Sequence, residues 1–202
     1  MTYTLKRYQT YQDYLDAEEL SPEGNYRLLS TGEVIEVPTE NDINRLIVSA
    51  LMAAIIKAKG LAFFRYLCPG NKEIQVHPSQ DKCVNRKPDL MVLDPTHLAE
   101  AKQAVLLGMN APAFVAEVVS PGSESSENYL RDYVWKRKQY ERWQIPEYWI
   151  IDPHQKQVTV LTLVDGKYRD TVYVGRTALR SSVFPAIELV ADDLVVGQIN
   201  DD

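Results

Sequence analysis

Cysteine and histidine are scarce in this sequence. Its 202 residues include two cysteines, Cys68 and Cys83, and three histidines that stand singly. None of these residues has the paired spacing of a zinc site, and the cysteines suggest no disulfide framework. We therefore expect thiols that stay reduced and a cytoplasmic protein.

Long apolar runs and an excess of positive charge are missing as well. No stretch approaches the roughly 20 apolar residues of a membrane span, and the N-terminal residues lack the apolar core of a signal peptide. We expect no association with a membrane. The formal net charge of −6 argues against broad, charge-driven binding to nucleic acid. A local basic patch or a metal-bridged contact with phosphate is still compatible with that charge.

The composition is that of an ordinary globular protein, with 45% hydrophobic and 25% charged residues. It predicts one α/β or α+β domain over residues 1–202. Glycine-rich phosphate loops, Gly-x-Ser-x-Gly elbows and dinucleotide fingerprints are absent, so the common nucleotide-binding and serine-hydrolase classes are not indicated.

Hydrophobic periodicity and turn residues divide the chain into alternating elements. The first half predicts a short helix within residues 8–20, a hairpin over 26–38, and a long helix over 39–60 that Thr39 caps and Gly60 ends. Strands are then predicted over 61–67, 72–77 and 88–94, followed by a short helix over 95–103.

The second half predicts a β-α-β unit, with apolar strands at 113–120 and 147–153 around a helix over about 126–143. An Asp-Gly hairpin over 157–174 follows, and residues 184–195 are typical of an edge strand or a short helix. The predicted fold is a mixed β-sheet flanked by helices, with an N-terminal helix and hairpin and a C-terminal hairpin.

Two acidic residues interrupt apolar strands. Glu117 lies within "AFVAEVVS", where residues two apart share a face, so Val115 and Val119 lie beside it. Such a carboxylate needs a cation, a metal or several hydrogen-bond donors, because desolvating it alone is unfavourable. Asp89 follows Pro88 at the start of "PDLMVLD" and poses the same problem. Ordinary explanations stay open, since Glu117 can lie near solvent or pair with an arginine, and Asp89 can be a turn residue.

A lysine stands in the aromatic face of the helix that follows. With about 100° per residue, Lys136 falls among Tyr129, Tyr133, Tyr140 and Trp143, and Asp132 lies one turn away. The same projection puts five charged residues on the flanks or the solvent face: Arg131, Arg137, Lys138, Glu141 and Arg142. Lys136 can either extend past the tyrosines to the surface or share a buried polar site with Glu117. The nearby Glu117 and Asp132 favour the shared site.

These features resemble the PD-(D/E)XK nuclease superfamily. Pro88-Asp89 and Glu117-Val118-Val119 stand on two strands before an amphipathic helix. Valine occupies the usual lysine position, and Lys136 is the residue on the following helix that could replace that lysine.

The order and spacing of several short segments are also similar to the Uma-two (Uma2) family of putative restriction endonucleases, over about residues 10–195. The segments are "GEVIEVP", "KPDL", "AEVVS", Asp132-x-x-x-Lys136-x-x-x-Tyr140 and "IPEYWIIDP". The family often has a histidine near the start of the first long helix, where this chain has "TENDINR".

The resemblance implies a restriction-endonuclease-like core over about residues 24–165 and a metal-dependent endonuclease that hydrolyses DNA. The implied catalytic residues are Glu40, Asp89, Glu117 and Lys136. Asp89, Glu117 and Val118 are assigned to Mg²⁺ or Mn²⁺, whose preferred ligands are oxygen atoms. The accessory candidates are Glu36, Gln75, Asp132 and Tyr140. Glu40 is favoured over Glu36 for the first-helix glutamate because it falls in the first turn of that helix.

Two other functions remain as alternatives at this stage. One is a catalytically inactive nuclease-like module that binds nucleic acid or protein, and the other is a hydrolase of a different phosphate ester. The presence of Asp89, Glu117 and a helix lysine favours an enzyme, and substitutions of Glu117 or Lys136 are expected to leave the fold intact. The acidic composition argues against sequence-specific restriction by this chain alone. The oligomeric state stays open, with a homodimer as one alternative.

Overall fold

The computed structural model describes residues 7–21, 24–37, 42–120 and 126–199. The strands are, in chain order, β1 Tyr26–Leu28, β2 Val34–Glu36, β3 Leu67–Cys68, β4 Glu73–Gln75, β5 Asn85–Arg86, β6 Leu90–Val92, β7 Ala104–Val105, β8 Phe114–Val118, β9 Glu147–Asp152, β10 Gln157–Val164 and β11 Lys167–Val174. The α-helices are α1 Tyr11–Leu15, α2 Asp42–Lys59, α3 His97–Glu100, α4 Glu127–Tyr129, α5 Lys136–Arg142 and α6 Ala191–Leu194. A 3-10 helix spans Leu61–Tyr66 and a π-helix spans Leu130–Trp135.

The largest sheet has six strands in the order β11-β10-β9-β8-β6-β3. β8 and β9 run parallel, and the other neighbours are antiparallel. Because α4, the π-helix and α5 connect the parallel pair, the predicted β-α-β unit is confirmed. The predicted C-terminal hairpin is also confirmed. Its turn residues Asp165 and Gly166 both have positive φ, at 53° and 76°, as a tight Asp-Gly hairpin requires.

Helices cover both faces of this sheet. Ile47, Leu51 and Ile55 recur every four residues along α2 and are fully buried in one core cluster, together with Phe114 and Ala116 of β8. The opposite cluster contains Val115 from the same strand, Val119 just beyond it, and Tyr140 from α5. The alternation of β8 therefore directs Glu117 towards α5, and this arrangement positions the site.

The N-terminal elements form a separate, smaller core. Thr10 and Asp13 make a capping box that starts α1. Tyr8, Tyr14 and Leu28 belong to one buried cluster that joins α1 to the β1–β2 hairpin. The hairpin confirms the prediction for residues 26–38, of which residue 38 lies outside the described part of the chain.

The long helix ends as the sequence predicts, at Gly60, whose φ of +85° is unfavourable for other residues. Its predicted cap, Thr39, lies outside the described residues. A strand prediction over residues 61–67 is wrong, because residues 61–66 form the 3-10 helix and only Leu67 and Cys68 pair with β6. A short apolar run cannot distinguish these structures by periodicity.

A second sheet has three strands in the order β5-β4-β7, and in sequence these strands alternate with β3, β6 and β8 of the main sheet. An isolated bridge joins Leu29 to Cys83, and the backbone N–H of Leu28 donates to Asn85 Oδ1 at 2.8 Å. The strand predicted over 72–77 is present as β4, but it belongs to this sheet. Of the predicted segment 184–195, only Ala191–Leu194 form a helix, the short α6, and the residues before it are irregular. Within the described ranges, no helix is both long and apolar enough to cross a bilayer.

Candidate active site

Asp89, immediately before β6, and Glu117, on β8, lie next to each other. Leu90 of β6 pairs with Ala116 of β8 in an antiparallel register, so Asp89 lies opposite Glu117. Asp89 Oδ2 accepts a hydrogen bond from the backbone N–H of Val118 at 2.5 Å. Their exposed fractions are 8% for Asp89 and 1% for Glu117. Glu117 is therefore buried rather than near solvent at a strand end. Asp89 lies in a bend immediately before β6, as the turn-residue alternative predicts, but it is buried as well.

The carboxylate of Glu117 has two partners on α5. The Tyr140 hydroxyl donates to its Oε1 at 2.6 Å, and Lys136 Nζ lies 2.8 Å from its Oε2. The side chain of Lys136 is 12% exposed. The amine therefore ends at Glu117 rather than extending along the tyrosines to solvent.

Asp132 continues a chain of alternating charges. Its Oδ1 lies 2.9 Å from Lys136 Nζ, and Arg131 donates to both of its carboxylate oxygens, from Nε at 3.0 Å and from Nη2 at 2.9 Å. Arg131 Nη2 also donates to Ser120 Oγ at 3.1 Å, just beyond β8. The projection of Arg131 onto a solvent-facing flank is wrong, because this residue is 8% exposed.

A π-helical turn accounts for that error. Residues 130–135 form i→i+5 hydrogen bonds, so each residue turns through a smaller angle than in an α-helix. Consecutive residues such as Arg131 and Asp132 can then both face the sheet. A wheel with a constant 100° per residue separates them, and the sequence gives no signal for the π turn. Such turns occur frequently at functional sites.

Electrostatics distinguishes the two carboxylates that Lys136 contacts. Burial raises the pKa of Glu117; Lys136 opposes this shift, and the negative charge of Asp89 adds to it. Burial acts in the same sense on Asp132, but Lys136 and Arg131 outweigh it and the pKa of Asp132 is lowered. Burial alone would lower the pKa of Lys136, whereas Asp132 and then Glu117 raise it. Lys136 is therefore an ammonium, and Glu117 is the carboxylate whose charge is less well compensated.

This donor set fits a divalent cation. Asp89 and Glu117 supply hard carboxylate oxygens that lie side by side. The side chain of Val118 is buried in the core cluster that contains α2, and its backbone N–H bonds to Asp89, so Val118 can contribute only its main-chain carbonyl. The raised pKa of Glu117 means that a nearby cation would stabilise its ionised form. Within the four described ranges, no three histidine, cysteine or acidic side chains cluster as metal ligands. Mg²⁺ is often bound through one or two carboxylates together with water and phosphate, so two carboxylates suffice.

Among the described residues, the predicted candidates Glu36 and Gln75 do not join this cluster of contacts. Glu40 lies outside the described residues, and Glu36 is exposed at the end of the β2 strand. Gln75 accepts a hydrogen bond from the backbone N–H of Leu107 at 3.1 Å, in the three-stranded sheet. The structure thus brings together Asp89, Glu117, Asp132, Lys136 and Tyr140, and sequence reasoning missed Arg131 as their partner.

The raised pKa of Glu117 leads to a pH-dependent stability difference. The unfolded carboxyl ionises near its ordinary pKa of 4.5, whereas the folded carboxyl ionises at a higher pH. Between these values the folded protein binds more protons, so its stability falls as pH rises. We expect the free energy of unfolding of the parent, relative to Glu117→Gln, to decrease above pH 4.5 and then level off. Urea denaturation of both proteins across pH 4 to 8 measures this difference in the free energy of unfolding. A difference that rises with pH would contradict a raised pKa of Glu117.

Comparison with known proteins extends these observations. The model of the Uma2 family, described as "Putative restriction endonuclease", matches residues 11–192. A crystal structure of a putative nuclease belonging to DUF820 from Anabaena variabilis is similar in fold, with a TM-score of 0.61 and 16% sequence identity. The alignment covers 92% of this chain and 97% of that one. A search of curated proteins gives no significant match.

Proposed function

Because this chain belongs to the Uma2 family of putative restriction endonucleases, we propose that it is a metal-dependent endonuclease that hydrolyses phosphodiester bonds of DNA in the cytoplasm. The observation that carries this proposal is the position of the Lys136 ammonium, 2.8 Å from Glu117 and 2.9 Å from Asp132. Asp89, immediately before β6, lies opposite Glu117 of β8. Two neighbouring carboxylates can hold a divalent metal ion, and a fixed ammonium can stabilise the charge that develops on a phosphoryl group.

Asp89, Glu117 and the main-chain carbonyl of Val118 would hold Mg²⁺ or Mn²⁺. When bound, such an ion neutralises charge that develops on the phosphoryl group and favours deprotonation of water. The Tyr140 hydroxyl, which donates to Glu117, fixes the orientation of that carboxylate. A metal site built on β6, β8 and α5 would be held by rigid elements rather than by loops.

Lys136 has a defined chemical role in this proposal. Its raised pKa keeps it protonated, so it has hydrogen-bond donors but no lone pair with which to accept a proton from water. It therefore acts as a compact positive charge that stabilises the phosphoryl oxygens as one phosphorus–oxygen bond forms and another breaks. The Arg131–Asp132 pair holds the lysine in place, since Asp132 contacts both cations.

A non-catalytic binding module is the second candidate. The observation that favours it is that both oxygens of Glu117 already have protein partners, Tyr140 and Lys136. A site of this kind can be a stable polar core without a substrate. The binding module requires that Tyr140 and Lys136 compensate the charge of Glu117 without a metal.

Incubation with DNA distinguishes the two functions. Single-stranded, duplex and branched DNA are each mixed with the purified protein in Mg²⁺, Mn²⁺ or EDTA. The enzyme is expected to cleave at least one form with a divalent metal and none in EDTA. Binding of DNA without cleavage in any metal would instead favour the module.

A further inference from the structure

Arg27 lies on the β1 strand, and the proposed hydrolysis gives this residue no role. Its neighbours Tyr26 and Leu28 pack in the N-terminal cluster. Since side chains alternate along a strand, Arg27 lies on the opposite face of the hairpin. On that side Arg86 donates from Nε to Gln139 of α5 at 2.8 Å. Arg27 thus faces the helical layer that carries the candidate active site.

The guanidinium of Arg27 has no hydrogen bond or ion pair with any residue in the described part of the chain. The residue is nevertheless half-buried. Burial lowers the pKa of Arg27, and the positive charge of Arg131 lowers it further, with a smaller effect from Arg86. A half-buried cation beside other cations is unfavourable unless an anion is supplied.

The carboxylates that the described part of the chain places near Arg27 already bond to other groups. Asp132 is the carboxylate whose charge favours ionised Arg27, but both of its oxygens bond to Arg131, and one also contacts Lys136. Asp81 accepts from Arg86, whose Nη1 is buried and has no hydrogen-bond partner among the described residues. Among the residues that the structure describes here, donors therefore outnumber acceptors. Guanidinium groups in such surroundings are suited to phosphate oxygens.

The region is connected directly to the candidate active site. Arg131, whose charge acts on Arg27, bonds to Asp132, and Asp132 contacts Lys136. Lys136 in turn contacts Glu117. An oxyanion held by Arg27 would therefore lie close to the groups that the proposed hydrolysis uses.

We propose that Arg27 binds a backbone phosphate of the DNA strand that enters the Asp89–Glu117–Lys136 site and so positions the substrate. The inference rests on the proposed function for its choice of substrate class. Its binding step does not require cleavage. A phosphate contact orients a strand without reading its sequence, so Arg27 contributes affinity and register rather than sequence specificity.

Equilibrium binding of labelled 20-nucleotide single-stranded and duplex DNA, in EDTA to prevent cleavage, tests this role. Arg27→Ala is expected to weaken binding about tenfold or more, as loss of a charge-assisted hydrogen bond does. It should reduce the slope of log K against log salt by about 0.7 to 0.9, the value for one phosphate contact. Arg27→Lys should keep most of the slope but lose part of the affinity. Arg65→Ala, which removes an exposed arginine from the 3-10 helix, is the matched control.

Thermal melting separates this role from a structural one. Arg27→Ala should melt at or above the temperature of the parent, because it removes a half-buried charge that is repelled by its neighbours. A structural arginine would lower the melting temperature on replacement. If Arg27→Ala does not fold, Arg27→Gln serves for the same comparison.

The possible outcomes are distinct for the two claims. Binding that depends on Arg27 without any cleavage would keep this inference and remove the proposed nuclease activity. If the parent cleaves DNA while Arg27→Ala and Arg65→Ala have equal affinity and salt slope, the nuclease activity is supported and the inference about Arg27 is overturned. A parent that binds neither DNA form overturns the inference about Arg27.

Discussion

Replacing Lys136 by methionine is expected to lower the free energy of unfolding by about 3–5 kcal/mol, the usual effect of removing one partner from a buried ion pair. The ammonium contacts Glu117 and Asp132, and both carboxylates are almost fully buried. Without it, Glu117 keeps the Tyr140 hydroxyl and Asp132 keeps Arg131, but both carboxylates lose a cation. Urea denaturation of the parent and the variant measures the difference.

Lys138→Met is the control for this substitution, since Lys138 lies two residues further along α5 and is exposed. It should change stability by no more than about 0.5 kcal/mol. The double variant Lys136→Met with Glu117→Gln should recover part of the loss, because it removes one of the stranded charges. Equal stability of Lys136→Met and Lys138→Met would contradict the buried pairing. The sequence alone led to a different expectation, that loss of Lys136 leaves the fold intact.

Glu117→Gln is expected to abolish both the response to divalent metal and the cleavage of DNA. Glutamine keeps the size of the side chain and one oxygen for Tyr140 or Lys136, but it lacks the charge that a metal requires. The parent should melt at a higher temperature as Mg²⁺ or Mn²⁺ is added, because a ligand of the folded state stabilises it. The variant should show no such shift over the same concentrations.

Glu100→Gln provides the matched loss of one negative charge, since Glu100 is exposed on the short helix α3. Its metal response and cleavage rate should equal those of the parent. A metal-dependent melting shift that survives in Glu117→Gln would place the cation elsewhere.

Lys136→Met should keep a metal response. Its cleavage rate should fall about 100-fold to 1000-fold if the charge of Lys136 acts mainly on the transition state.

The pairing of Glu117 with helix α5 could be predicted because both elements have a strict local period. Alternation along β8 places Glu117 on one face of the sheet, and the helical period places Lys136 and Tyr140 on the facing side of the helix. The placement of Asp89 and Glu117 in one site followed from the resemblance of the whole layout to a nuclease family. These predictions depend on regular geometry, which the sequence expresses directly.

Other features depend on geometry that no local pattern expresses. Arg131 reaches Asp132 because of the π turn, and a fixed helical angle assigns it to solvent. Gln75 belongs to a different sheet because β4 pairs with β5 and β7, and strand partners over such distances are not encoded by periodicity. The run over residues 61–66 is apolar enough for a strand but turns into a 3-10 helix after Gly60. The cationic surroundings of Arg27 arise only in the folded protein, where the hairpin lies near Arg86 and Arg131.

Metal-dependent nicking of supercoiled DNA by the parent and by Asp89→Asn tests the proposed active site directly. Asp89 bonds to the backbone of β8 and lies beside Glu117, so its amide variant removes one proposed metal ligand with little change in shape. We predict that the parent nicks DNA with Mg²⁺ or Mn²⁺ and stops in EDTA, while folded Asp89→Asn gives no product above a blank without protein. Equal nicking by both proteins, or none by the parent in either metal, would contradict an enzyme whose active site contains Asp89, Glu117 and Lys136.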